Sequence, residues 1–169
     1  MQIRICGLGL ALMLAISSPG WGAADGNVPP NKYETAFQRL KTLVGEWQEE
    51  DEPRRQVTYH LTGNGSALVE EFRGRPTMVS VYHMDGEALR LTHFCNAGNQ
   101  PRMMASSYNP ASDALKFDFV DVTSLSSPTA YHTRKLEVIF QDEDHVQLRF
   151  NGRKKGVDVP GEVSLIRRR

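Results

Sequence analysis

A chain of 169 residues, 40% of them hydrophobic, suits one domain with a full core rather than two. Its 20 basic and 20 acidic residues cancel, which leaves no electrostatic case for binding nucleic acid or an anionic membrane surface.

Residues 1–24 have the features of an export leader. Arg4 supplies a positive charge, Ile5 to Ile16 an apolar run, and Gly22-Ala23-Ala24 a small-residue cleavage site. The apolar run is broken by glycines and stops at Ser17-Ser18-Pro19-Gly20, short of the ~20 residues that span a bilayer. The expectation is therefore a cleaved signal peptide and a periplasmic or secreted chain, with no stable membrane insertion afterwards. Cys6 leaves with the leader, so Cys95 is an unpaired thiol in a compartment that permits disulfides, either buried and inert or chemically used. Residues 25–33, polar and carrying Gly26 and Pro29-Pro30, read as a flexible lead-in to a single domain over 34–169.

Ala36-Phe37, Leu40 and Leu43-Val44 then recur at spacings of three and four, opposite Lys32, Gln38, Arg39 and Lys41. The pattern predicts one amphipathic helix, ended by Gly45, that must lay its apolar stripe on another element. Beyond Gly45 the period is two. Strands are predicted over 46–50, 56–62, 66–73, 77–83, 87–95, 102–108, 114–120, 132–140, 145–151 and 162–168, separated by turn signals such as Gly63-Asn64-Gly65, Asp85-Gly86, Asn109-Pro110 and Pro160-Gly161. Short connections join antiparallel neighbours, and about ten such strands in sequence are relieved of their edges by closing on themselves. The predicted fold is all-β: an antiparallel up-and-down β-barrel with one N-terminal α-helix.

The alternation assigns inward faces to Val57, Tyr59 and Leu61; Val79, Val81 and His83; Leu89, Leu91, His93 and Cys95; Leu115, Phe117 and Phe119; Leu136, Val138 and Phe140; and Val146, Leu148 and Phe150. A ten-strand barrel is wide enough for a small ligand as well as a core. The longest gap, Thr123 to Tyr131, is rich in serine and threonine and reads as a loop at the barrel mouth.

The opening FQRLKTLVGEW, a helix followed by Gly-x-Trp, resembles the entry of the calycin superfamily, in which a tryptophan on the first strand plugs one barrel end. Here that residue is Trp47. GSALVEEF, MVSVYHMDGEALRLTH and FCNAGNQPRM are similar to a group of bacterial, often exported, lipocalin-like proteins of unassigned function. The resemblance implies binding of a small, often hydrophobic molecule inside the barrel. Nitrobindin-like proteins, more distant ten-strand relatives, hold haem through a histidine near the C-terminus; this chain has no histidine after His145, and its Gly45-Glu46-Trp47 runs into acids. No cofactor and no metal set is therefore expected.

The candidate site gathers around the polar loop 96–102. His93 and Cys95 lie two apart on one face, ~6–7 Å between Cα atoms, and both reach one ligand on that geometry. Arg102 and Arg134, with Tyr59 and His132, suit an anionic head group, guanidinium being fitted to bidentate contact. An internal ion pair with Glu71 is the alternative for Arg102. Asn99 and Gln100 either touch ligand or pin their own loop. The expected partner is a small hydrophobic or amphipathic molecule. The competing class is an enzyme working in the same cavity, through Cys95 with His93 or through bound haem.

Overall fold

The computed structural model describes residues 31–74 and 77–169; the expected leader, and the lead-in as far as residue 30, lie outside the described residues. Asn31 caps the helix α1 (Lys32–Lys41), its side-chain oxygen accepting from the Tyr33 and Glu34 amides at 2.8 and 2.9 Å. The helix ends at Lys41, four residues before the expected Gly45, because Gly45 already belongs to the first strand. It buries Ala36, Phe37 and Leu40, together with Leu43 beyond its end, against the barrel.

Ten strands follow: β1 (Gly45–Glu49), β2 (Gln56–Thr62), β3 (Ala67–Arg73), β4 (Met78–Asp85), β5 (Ala88–Phe94), β6 (Gln100–Asn109), β7 (Ala114–Thr123), β8 (His132–Phe140), β9 (His145–Lys154) and β10 (Val157–Arg167). Each pairs antiparallel with its neighbours in sequence, and β1 pairs with β10, so the sheet closes as an up-and-down barrel. Closure leaves no unpaired edge along which another strand can add.

Two sequence expectations fail here for local reasons. Pro160-Gly161 is not a turn but lies inside β10, where Pro160 pairs with Asn151 and Gly161 with Phe150. The true turn is Lys155-Gly156, both at positive φ, the geometry that a two-residue hairpin demands. Gly161 is needed for space: a Cβ there would meet the Phe150 ring at 2.5 Å. Strand β4 also shows the opposite face to the one expected. Val79, Val81 and His83 look outward, while Ser80 and Tyr82 are buried inside. The Gly86-Glu87 turn sets Tyr82 opposite Leu91 and Ser80 opposite His93, and residues paired across a ladder share a face. Leu61, at the end of its strand, is 42% exposed rather than inward.

Topology sends α1 and the β2–β3, β4–β5, β6–β7 and β8–β9 turns to one end of the barrel. The other end carries segments 50–55, 95–99 and 124–131, the end of β3, the start of β4 and the β9–β10 hairpin. The helix end is filled. Trp47 donates to the Leu43 carbonyl at 2.7 Å and packs edge-on to Tyr59, with Phe37, Leu40, Leu68, Leu89, Leu115 and Phe140 around them. Arg167 lies over the Trp47 ring at 4.3 Å and donates to the Thr42 and Val44 carbonyls at 2.9 and 3.1 Å, tying the end of the helix to the last strand. Arg39 does the same for the β6–β7 turn through Asp113 at 2.7 Å.

Candidate functional site

The loop end is hollow. A cavity of about 410 Å³ enters the barrel there, with apolar walls from Phe72, Met78, Leu91, Met103, Leu136 and Phe150. Its rim includes Arg55, Gln56, Arg73, Cys95, Asn96 and Tyr131, and three polar side chains, Glu70, Ser80 and His93, stand inside. These three belong to one cross-strand row, because Tyr59 pairs with Glu70, Glu70 with Ser80 and Ser80 with His93. Register alone therefore brings residues from β2, β3, β4 and β5 to a single level of the interior.

Glu70 is 3% exposed, and its Oε2 accepts from the Tyr59 hydroxyl at 2.8 Å and the Tyr82 hydroxyl at 3.0 Å. Burial raises the carboxyl pKa above its ordinary value; the hydroxyls of Tyr59, Ser80 and Tyr82 oppose that by stabilising the charged form. Burial, and then the charge of Glu70, push both tyrosines well up, so they remain donors. Ser80 Oγ lies 3.0 Å from His93 Nδ1, and burial lowers the imidazole pKa to about 4, which leaves His93 neutral at pH 7.

Of the residues singled out from sequence, His93 and Cys95 do line one cavity, and Tyr59 touches it through Glu70. The Cys95 thiol is directed at Asn96 Oδ1, 3.5 Å away, while the near side of the His93 ring is engaged by Ser80.

Arg102 does not project into the barrel. Met103 and Ala105 take the inward face of β6, so Arg102 points outward and forms a two-pronged pair with Asp121, Nη2 to Oδ2 2.7 Å. Its partner is Asp121 rather than Glu71. A register irregularity between Thr133 and Lys135 turns Arg134 onto the Phe119 ring at 4.9 Å, with His132 beside the same ring at 5.4 Å; Tyr131 and Thr133 complete the cavity wall in their place. The expected ring of cations around an anionic head group is thus not assembled.

Asn99 is buried and donates to the Tyr131 carbonyl at 2.7 Å, while its backbone oxygen accepts from the Cys95 amide at 3.0 Å. Gln100 accepts from Thr123 at 2.8 Å. Both fasten the mouth loops.

Comparison with protein-family models and with curated proteins finds no match to this chain. The chemistry of the cavity therefore rests on its own residues. Among the described residues no group of three or more His, Cys, Asp or Glu side chains is placed to hold a metal ion.

Glu70, Ser80 and Tyr82 were missed from sequence. The parity of Leu68, Glu70 and Phe72 carried a signal, an acid between two large apolar residues on one strand face. Ser80 and Tyr82 carried none, since Val79 and Val81 looked more apolar.

Proposed function

We propose that this protein is an exported, lipocalin-like barrel of calycin type that binds a small hydrophobic or amphipathic molecule in its interior. One observation carries the reading: a cavity of about 410 Å³, filled solid at the helix end, apolar along its walls and converging on the single polar row Glu70–Ser80–His93. That combination, mostly apolar lining with a few placed polar groups in the size range of small-molecule sites, is what orients a ligand of modest size. The helix followed by Gly45-Glu46-Trp47, with Trp47 beneath the barrel, supports the calycin likeness. Residues 1–24 support export.

The test is extraction of the natively purified protein followed by mass spectrometry, with titration of the stripped protein by the fluorescent apolar probe N-phenyl-1-naphthylamine. Saturable one-site binding that Leu136→Trp abolishes is expected, because the larger side chain fills the cavity. The absence of both a co-purified molecule and saturable probe binding would sink the reading. Export is checked separately by fractionation and the mass of the mature chain, which should begin near Asp25.

A further inference from the structure

The polar row inside the cavity also has a sign. Its one ionisable acid, Glu70, meets three hydroxyls and no cation among the described residues. Arg55 and Arg73 stay at the rim, where Arg55 reaches Glu49 at 3.4 Å and Glu52 at 3.1 Å, and Arg73 reaches Glu71 at 3.6 Å. The tyrosine protons are already assigned. Tyr59 and Tyr82 each have one, and both point at Glu70 Oε2. Ser80 Oγ lies 3.0 Å from His93 Nδ1, a contact in which either group is able to donate. Glu70 therefore stands in the cavity as an acceptor whose donors within the chain are hydroxyls, with no cation beside it among the described residues.

We infer that the bound molecule carries a hydrogen-bond-donating end, an alcohol or an amine, which meets Glu70, and that anionic amphiphiles are excluded. The assignment presupposes cavity binding as proposed above. A ligand carboxylate placed at this level would bring a second negative charge beside a buried one with no cation between them, an arrangement that costs more than an apolar end group would. An ammonium reverses the balance by giving Glu70 the counter-charge that the chain does not provide.

The experiment is displacement of N-phenyl-1-naphthylamine at pH 7.5 by three ligands of equal chain length: 1-decanol, decylamine and decanoate. The alcohol and the amine are expected to displace the probe at concentrations at least about tenfold lower than decanoate, the discrimination that one charge-assisted hydrogen bond supplies. Glu70→Gln should cut the advantage of decylamine over decanoate to about threefold or less. Arg102→Ala, on the outer face of the barrel, should keep the ranking. If the unaltered protein binds decanoate as well as or better than decanol, the donor assignment is overturned while cavity binding stands. If the probe itself does not bind, both fall.

Discussion

Removing the Tyr59 hydroxyl should destabilise the fold in a pH-dependent way. Tyr59→Phe deletes the 2.8 Å hydrogen bond to Glu70 Oε2 and keeps the ring that packs against Trp47. Donor and acceptor are 1% and 3% exposed, so water does not replace the lost donor. A hydrogen bond to a charged group contributes about 1.5–3 kcal/mol, and full burial favours the middle of that range, about 2 kcal/mol at pH 7. With a urea m-value of about 2 kcal/mol/M for a domain of this size, the midpoint should fall by about 1 M.

The sign with pH follows from Glu70. Its folded pKa is raised, so between the unfolded value and the folded one the folded state binds more protons, and stability declines as pH rises through that window. Losing a donor to the charged form pushes the carboxyl higher still and deepens the decline. The deficit of Tyr59→Phe should therefore be largest at neutral pH and shrink towards pH 4, where the neutral acid has less need of donors. Urea denaturation followed by Trp fluorescence at pH 8, 6.5, 5 and 4 measures it. A deficit that is the same at every pH, or below about 0.5 kcal/mol at pH 7, would refute the idea of a charged Glu70 held by tyrosine donors.

His93, whose folded pKa lies near 4 and below the ordinary 6.5, should hold stability that is complete above pH 6.5 and lost as pH falls through about 4, at most about 3 kcal/mol; NMR of the ring protons checks the titration directly. Gly161→Ala should drive Phe150 off the glycine and into the cavity, with a cost of about 1–3 kcal/mol in thermal unfolding and weaker probe binding; unchanged binding would show that the ring does not move inward. Arg167→Ala should lower stability by about 2 kcal/mol and raise amide hydrogen exchange in α1, because two carbonyl contacts and the Trp47 stacking disappear together.

Much of the architecture was legible in the chain because a strand's period of two and its turn residues are local properties. The helix stripe at Ala36, Phe37 and Leu40 and the long loop before His132 both follow from spacing. The candidate site was legible only in part. His93 and Cys95 were found since their strand has one plainly apolar face, that of Leu89 and Leu91. Arg102 was drawn inward by chemistry, since a cation beside a polar loop invites an anion, but Met103 and Ala105 had already claimed the inner face of β6; Arg134 was placed by its parity with Leu136 and Val138, which the irregularity between Thr133 and Lys135 breaks.

What the amino-acid order determined by itself is that this chain alternates ten times, turns tightly and begins its barrel with a helix and Trp47. Only the tertiary structure decided which face of β4 looks in, since alternation distinguishes two faces without choosing between them, and the choice comes from pairing with β5 across a two-residue turn. The same register lines up Tyr59, Glu70, Ser80 and His93 from four strands. An acid 11 residues from its tyrosine donor and 23 from the histidine has no sequence motif; the barrel's hydrogen-bond ladder is what makes them one site.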